Sequence, residues 1–381
     1  MSRPDLTPAP APVPFLDLSG MTADVREEVT AGWSELLDSG AFIGGTAVAR
    51  FEQDWAAFCG TRHAVGVANG TDALHLTFRA LGIGAGDEVV VPANTFVATA
   101  EAVVLAGARP RFADVDPDTL LITPETLEAA MTPAVRAVAV VHLYGQMPDM
   151  EGLLATAARL GIDVVEDAAQ AQGATRGEAR AGAHGVAGCF SFYPGKNLGA
   201  FGDAGAVVTS DDRLAETLLS LRDHGRAGSG HYDHGLLGLN SRLDAVQAVV
   251  LAAKLRHLDA WNAARADLMA VYRDLLDPDV APLVGRLQGG RGVHHLAVTR
   301  VLDRARVREE LAEAGVATGI HYPTPCHLMT PYAGYADGPL PVTESAAAQV
   351  LSLPLYPHLR VGDVERVAKT VNAIAPRRSG R

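Results

Sequence analysis

The chain has 381 residues, a net charge of −12 and 48% hydrophobic residues. This length is typical of two domains, or of one large and one small domain, each with its own core. The acidic balance argues against a nucleic-acid-binding protein, because such proteins concentrate Lys and Arg, and no apolar run is long enough to span a membrane.

The first residues, 1–14, are rich in Pro and Ala and lack the order of a signal peptide, so they are predicted to form a loose arm. Helical spacing of apolar residues predicts helices over 22–39 and 48–58. Strands and helices then alternate. Strands are predicted at 63–67, 87–91, 109–114, 135–141, 162–166, 188–192 and 204–209, and helices at 73–81, 94–106, 123–131, 150–160 and 211–221.

This alternation, with nearly continuous apolar strands, predicts an α/β fold with a mostly parallel sheet covered on both faces. The Gly- and His-rich segment 222–242 is predicted to be an exposed loop. A long helix over 243–275 leads to a smaller part with strands at 294–299 and 320–325 and helices at 307–314, 343–350 and 361–374. We therefore predict an arm (1–20), a large domain (21–257) and a small C-terminal α+β domain (258–381).

One strand end carries a lysine in an unusual place. The strand 188–192 is broken by Pro194 and Gly195, and Lys196 follows directly, although the chain has only two other lysines, Lys254 and Lys369. The pKa of a lysine amine changes readily on burial, which suits it to Schiff-base formation. The alternative interpretation is a surface lysine in a turn.

Two further strand ends carry polar residues, and ligands of such sheets bind at these ends. Gly70 and Thr71 open a helix, where free N–H groups and the helix dipole suit a phosphate, although taken alone this segment favours an ordinary helix cap. Asp167 ends the strand 162–166. It could keep a pyridinium nitrogen protonated, or belong to a structural ion pair.

The order and spacing of these segments resemble the DegT/StrS-type family of pyridoxal-phosphate-dependent sugar aminotransferases, which have the fold-type-I aminotransferase fold. The similarity extends over nearly the whole chain. It includes Phe42-Ile-Gly-Gly45, Pro92-Ala-Asn-Thr-Phe96, His142-Leu-Tyr-Gly-Gln146, Asp167-Ala-Ala-Gln170, Ser191-Phe-Tyr-Pro-Gly-Lys-Asn-Leu-Gly199, Gly238-Leu-Asn-Ser-Arg-Leu-Asp244 and Gly319-Ile-His-Tyr-Pro323.

The resemblance implies a role for each matching residue. Lys196 would form the Schiff base with pyridoxal 5′-phosphate and later move protons, and Asp167 would contact the pyridine nitrogen. The remaining cofactor contacts would come from Gln170 near the phenolic oxygen, from Gly70, Thr71 and Ser191 at the phosphate, from Phe96 stacked on the ring, and from Asn240 of a partner subunit. Asn240 therefore implies a homodimer with shared sites.

The resemblance also implies the substrates. L-Glutamate would donate the amine to a keto-deoxysugar linked to a nucleoside diphosphate, most simply dTDP, at C3 or C4, and the segment 142–146 favours C3. His321 and Tyr322 would lie near the sugar. Arg242, with Arg222, His224 and Arg226, would meet the diphosphate, or these residues are solvated loop charges.

Two other functions stay open. Relatives of this kind also aminate cyclitol ketones or form aminated aromatic precursors, and a non-catalytic regulator could bind pyridoxal phosphate without turnover. The three scattered cysteines, Cys59, Cys189 and Cys326, predict neither a disulfide framework nor a metal site and are typical of a cytoplasmic protein. The richness in Ala, Arg and Gly suggests a GC-rich bacterium and hence amino sugars for antibiotic biosynthesis.

Overall fold

The computed structural model describes residues 11–228 and 232–378. The helices are α1 Ser19–Ser39, α2 Gly45–Cys59, α3 Gly70–Ala80, α4 Val97–Leu105, α5 Pro124–Ala129, α6 Met150–Leu160, α7 Asp212–Leu221, α8 Ala245–Leu255, α9 Leu258–Leu275, α10 Arg304–Glu313, α11 Pro341–Gln349 and α12 Val361–Ile374. The strands are β1 His63–Val67, β2 Glu88–Pro92, β3 Arg109–Ala113, β4 Val135–Val141, β5 Asp163–Asp167, β6 Thr175–Arg176, β7 Ala179–Arg180, β8 Ala187–Ser191, β9 Gly205–Thr209, β10 Gly290–Arg291, β11 Ala297–Arg300 and β12 Val350–Leu353.

A seven-stranded sheet in the order β1-β9-β8-β5-β4-β2-β3 forms the centre of the larger part. The pairs from β8 through β5, β4 and β2 to β3 are parallel, and only β9 runs against its neighbours β8 and β1. Two buried apolar clusters cover its two faces. The predicted fold class, a mostly parallel sheet between helices, is therefore confirmed.

A smaller part follows α9 and has its own apolar core. Its strands β11 and β12 pair antiparallel. Strand β12 was missed by the sequence prediction, which assigned Val350 to the end of a helix. Among the described residues, no helix is both long and apolar enough to cross a membrane.

Two other sequence predictions were wrong in detail, and one feature was missed. The helix expected over 243–275 is divided between α8 and α9, where the N–H of His257 bonds the carbonyl of Lys254 in a tight turn. No strand forms over 320–325. Pro323 and Pro325 have no N–H for a ladder, and only Gly319 bridges to Ser352 nearby. The short hairpin formed by β6 and β7 was not predicted at all.

The start of the chain is bound to the rest rather than loose, as far as the structure describes it. Val13 is buried, donates its N–H to the carbonyl of Gly315 at 2.8 Å and accepts from the N–H of Ala317 at 3.0 Å. The prediction of a loose arm is therefore wrong for this segment, because Val13 adds a short parallel pairing to the smaller part. Residues 1–10 lie outside the described residues.

Candidate active site

The polar strand ends identified in the sequence line one cavity of about 570 Å³. Strands β1, β5 and β8 all end at this edge of the sheet, because β1 and the parallel strands run in the same direction. The predicted residues that line the cavity are Gly70, Thr71, Phe96, Asp167, Gln170, Ser191, Lys196, His321 and Tyr322. The sheet therefore brings together segments that are distant in the chain.

Lys196 lies in the turn after β8, where its N–H bonds the carbonyl of Tyr193 at 2.8 Å. Its ammonium lies within the cavity, and burial lowers the pKa of Lys196 to about 8, while the nearby charge of Asp167 acts in the opposite direction. A substantial fraction of this lysine is therefore a neutral nucleophile near neutral pH, unlike an ordinary surface lysine. The sequence alternative of a surface lysine in a turn does not describe this position.

Asp167 is buried at the carboxyl end of β5. Its carboxylate accepts a hydrogen bond from the Thr99 hydroxyl at 2.7 Å, and Thr99 in turn contacts the hydroxyl of Thr95 at 2.8 Å. Burial raises the pKa of Asp167, although the bond from Thr99 and the charge of Lys196 oppose this shift. The carboxylate faces the cavity with no cationic hydrogen-bond partner among the described residues, so a cationic ligand group would be stabilised beside it.

The opposite end of the cavity is formed by the first turn of α3. Asn69 caps this helix by accepting the N–H of Asp72 at 2.8 Å. A methyl group at Gly70 would come within 2.6 Å of the Cβ of Ser191, so the absence of a side chain lets these two strand ends approach. Free N–H groups, the hydroxyls of Thr71 and Ser191 and the positive helix end make this a cradle for an anion.

Gln170 is held by bonds to two tyrosines. Its Oε1 accepts the N–H of Tyr144 at 2.7 Å, and its Nε2 donates to the Tyr322 hydroxyl at 3.0 Å. The Tyr144 hydroxyl then donates to the carbonyl of His321 at 2.6 Å. This chain of bonds connects β5 with the segment 319–323 and fixes the wall of the cavity on that side.

His321 and Phe96 line the mouth of the cavity. The His321 Nδ1 lies 2.8 Å from the Ser352 hydroxyl, and burial together with Lys196 lowers the pKa of His321 to about 4, so the ring is neutral. Phe96 precedes α4, is 52% exposed, and its ring centroid lies 5.5 Å from that of Tyr322. An exposed phenylalanine here is a surface for a planar ligand rather than a core residue.

Sequence reasoning missed several residues that line the same cavity. Phe15 stacks against His321 with ring centroids 5.7 Å apart, so the arm contributes to the wall. Arg265 is almost completely buried and donates to the carbonyl of Leu355 at 2.9 Å, while its Nε has no hydrogen-bond partner among the described residues. The sequence shows an arginine on a helix, but nothing in its spacing marks this side chain as buried, which is rare for arginine.

A second carboxylate, Glu166, lies directly beside Asp167 in sequence but makes only structural contacts. It accepts hydrogen bonds from the N–H groups of Gly182, His184 and Gly185 and pairs with His142 at 2.8 Å. Burial acts to raise the pKa of Glu166, but these bonds outweigh it and keep the pKa below its ordinary value. Glu166 therefore stays ionised as a support for the strand ends.

Asn240 and Arg242 are not brought into the cavity by the chain's own fold. Asn240 is exposed, pairs with Asp223 through the backbone and accepts a hydrogen bond from Nε of Arg242 at 3.1 Å. Arg242 also forms an ion pair with Asp223 at 3.2 Å. Both residues lie beside the loop whose central residues, 229–231, are outside the described part of the chain.

The chain is similar to known proteins along nearly its whole length. The family model described as the DegT/DnrJ/EryC1/StrS aminotransferase family matches residues 23–372. The dTDP-3-amino-3,4,6-trideoxy-alpha-D-glucose transaminase of Streptomyces venezuelae is 45% identical over 96% of this chain and 97% of its own length. A protein of Geobacillus stearothermophilus named pleiotropic regulatory protein is 43% identical over 94% of this chain and 97% of its own length.

Among solved structures, that of S. venezuelae DesV in complex with a ketimine intermediate has a TM-score of 0.93 and 45% identity, and it covers 97% of this chain and 100% of that one. The predicted family, the fold-type-I architecture and the predicted class of enzyme, an aminotransferase, are confirmed by these matches. The chain belongs to the DegT/DnrJ/EryC1/StrS aminotransferase family.

Proposed function

We propose that this chain is a cytoplasmic, pyridoxal-phosphate-dependent aminotransferase that moves an amino group from L-glutamate to a dTDP-linked keto-deoxysugar, at C3 or C4. One observation carries this proposal. One cavity is lined by a half-buried lysine with a lowered pKa, by a buried aspartate that has no cationic hydrogen-bond partner in the described part of the chain, and by a helix N-terminus without a side chain at Gly70.

The donor set fits pyridoxal phosphate from end to end. Gly70, Thr71 and Ser191 would hold the phosphate, because the first turn of α3 presents free N–H groups and the missing side chain leaves space for phosphate oxygens. Asp167 would face the pyridine nitrogen, since a buried carboxylate with a raised pKa gains a cationic partner there. Gln170 would lie near the phenolic oxygen, and Phe96 would stack on the ring.

The cofactor, when bound, supplies an electron-withdrawing ring that stabilises negative charge on the substrate carbon. The chain supplies the remaining functions. Asp167 keeps the ring nitrogen protonated, and Thr99 orients Asp167 through its 2.7 Å hydrogen bond. Lys196 would hold the cofactor through its Nζ, and the same Nζ, when free, would serve as the acid and base that moves a proton at the substrate carbon.

The substrates follow from the mouth of the cavity and from the relatives. Tyr322 and neutral His321 present hydroxyl and imidazole groups to a sugar, and buried Arg265 offers a cationic group to a carboxylate or diphosphate. The S. venezuelae relative carries a C3-amino sugar in its name, which supports C3 over C4 here. We therefore propose a 3-keto-deoxysugar as the acceptor, in amino-sugar and hence antibiotic biosynthesis.

We further propose that each chain consists of a large domain (21–257) and a small domain (258–381). Two such chains would form a homodimer with shared active sites. Asn240 would reach the phosphate in the partner subunit, and Arg242 would approach the diphosphate of the sugar. Leu236 and Leu237, just before them in the chain, are 46% and 84% exposed. Such exposed leucines beside polar site residues are typical of a surface that a second subunit covers.

The experiment has two stages. The purified, cofactor-loaded protein should lose its visible absorbance on addition of L-glutamate and release one equivalent of 2-oxoglutarate. The loaded protein should then transfer ¹⁵N from labelled glutamate to one member of a panel of dTDP-linked 3-keto and 4-keto sugars. A Lys196→Ala protein should do neither, and turnover by that variant would show that another lysine carries the chemistry.

The name of the G. stearothermophilus relative favours a second candidate, a regulator that binds pyridoxal phosphate without turnover. The two candidates differ in the first stage, because a regulator would bind the cofactor but leave glutamate unchanged. An enzyme that converts glutamate but no nucleotide-linked sugar would instead point to a cyclitol ketone or another acceptor outside the panel.

A further inference from the structure

A second cavity of about 290 Å³ lies behind the active site, on the far side of the wall formed by the segment 144–147. The antiparallel pair of β6 and β10 forms one side of it, α9 another, and the segment 283–287 a third. Nothing in the proposed aminotransferase reaction uses this cavity.

The side chains around the second cavity are strongly basic. Four arginines line it, Arg176, Arg273, Arg286 and Arg291, and none of its described lining residues is acidic. This clustering stands out in a chain whose net charge is −12. Like charges gathered at one cavity repel each other, so the arrangement is stabilised when an anion joins it.

Among the residues that the structure describes, only one of these four arginines has an acidic partner. Arg176 pairs with Asp149 at 2.9 Å. Within 11–228 and 232–378, the guanidinium groups of Arg273, Arg286 and Arg291 have no ion pair or hydrogen bond. By contrast, Arg222, Arg242 and Arg377 form ion pairs with neighbouring carboxylates. Three guanidinium groups are therefore available to one ligand.

The arginines act on a common point in the cavity. His294 lines it with a left-handed backbone, φ 47°, and burial together with Arg286, Arg273, Arg265 and Arg291 lowers the pKa of its ring to about 4. Arg273, Arg286 and Arg291 line this cavity and are also exposed to solvent, so an anion entering from solvent can reach them. A neutral imidazole there is a hydrogen-bond partner for an anion.

We propose that this second cavity binds the diphosphate group of a small molecule. Three unpaired guanidinium groups match the three or so negative charges of a diphosphate at neutral pH, and each guanidinium fits phosphoryl oxygens in a bidentate manner. A single carboxylate would leave most of this charge uncompensated. The floor of the cavity is apolar, with Met269, Leu283 and Val298, which suits an attached organic group.

The second cavity is separate from the active site. Tyr144 and Leu296 form the wall between them, and Tyr144 is fixed by its bonds to Gln170 and His321 on the active-site side. A ligand in the second cavity would therefore contact the residues that hold Gln170 without entering the active site. The proposal of a diphosphate site therefore does not depend on which amino-group acceptor the active site uses.

Isothermal titration of the cofactor-loaded protein tests the proposal with two probes, inorganic pyrophosphate and thymidine diphosphate. We expect at least one probe to bind. Replacing Arg286→Ala or Arg291→Ala should weaken it about tenfold each, whereas the matched surface variant Arg308→Ala, on α10, should leave affinity unchanged. Pyrophosphate binding would identify the free anion as sufficient. Thymidine diphosphate binding alone would identify a nucleotide.

Three results would overturn the proposal. Binding that is unchanged in both arginine variants would assign the probe to the active site, and the absence of binding by either probe would exclude a diphosphate site. Sedimentation of the same samples gives an independent check. If Arg286→Ala and Arg291→Ala dissociate the oligomer, the arginines pair with a second subunit instead. Each readout is binding or mass, so a failed transaminase assay would not affect it.

Discussion

The lowered pKa of Lys196 makes a quantitative prediction about cofactor capture. A lysine must be neutral to attack the aldehyde of pyridoxal phosphate. Burial lowers the pKa of Lys196 from 10.5 to about 8. At about pH 7.5 roughly one quarter of such an amine is neutral, against about 0.1% for an ordinary lysine, so capture should be about 200 times faster than the ordinary value allows.

The assay is the rate at which cofactor-free protein develops the visible absorbance of the Schiff base between about pH 6 and pH 10. Because only the neutral amine reacts, the rate should rise with pH, reach half of its maximum near pH 8 and level off above that pH. N-acetyl-lysine measured in parallel corrects for the cofactor's own titration, and its rate should continue to rise. A protein profile that follows this free amine would refute the assignment of a depressed pKa to Lys196.

Two variants sharpen this test. The charge of Asp167 raises the pKa of Lys196, so Asp167→Asn should move the profile to still lower pH while the Thr99 hydroxyl retains an oxygen acceptor. Lys254 provides the matched control, because burial also lowers its pKa to about 8 but its Nζ donates to the carbonyl of Gly199. Lys254→Arg should therefore leave the profile in place.

Three further predictions concern the support of the site. Gly70→Ala would place a methyl group 2.6 Å from the Cβ of Ser191, so we expect the free energy of unfolding to fall by about 1–3 kcal/mol and the affinity for the cofactor to fall at least about tenfold. An unchanged affinity in a fluorescence titration would contradict the proposed cradle. Thr99→Val removes the hydrogen bond to Asp167, which should raise the pKa of this carboxyl further and lower the stability of the cofactor-loaded protein by about 1–3 kcal/mol in urea unfolding. A variant as stable as the wild type would mean that solvent replaces the hydroxyl. Glu166→Gln sets an amide against four hydrogen-bond donors and should cost about 3–5 kcal/mol, so a melting temperature equal to that of the wild type would argue against a buried ionised Glu166.

The sheet and most of the site could be predicted from the sequence because both depend on local signals. Apolar runs interrupted by Gly, Pro and polar residues mark strand ends, and parallel strands bring such ends to one edge. The positions of Gly70, Asp167 and Lys196 in one cavity follow from this rule. Their individual chemical roles came from the family resemblance rather than from spacing alone.

The rest depends on contacts between distant segments, for which the sequence has no local signal. Phe15 reaches the cavity because Val13 pairs with Val316, more than 300 residues away. Arg265 lies on a helix whose apolar spacing gives no hint that one turn faces a cavity. Asn240 and Arg242 lie outside the cavity of their own chain, so a second subunit has to be invoked for their proposed roles.

Glu166 and Asp167 show how far neighbouring residues of one type can diverge. Successive side chains in β5 point to opposite faces of the sheet. On one face Glu166 receives three backbone N–H groups and His142, which keep its pKa low. On the other face Asp167 receives one hydroxyl from Thr99 and one N–H from Ala169, and burial raises its pKa.

The sequence shows two adjacent acids, but only the number of donors around each distinguishes them. The well-satisfied carboxylate holds the strand ends in place, while the poorly satisfied one gains most from a cationic ligand. The alternation along β5 directs Asp167 to the cavity, and its small number of donors is the reason that we propose it as the cofactor's partner.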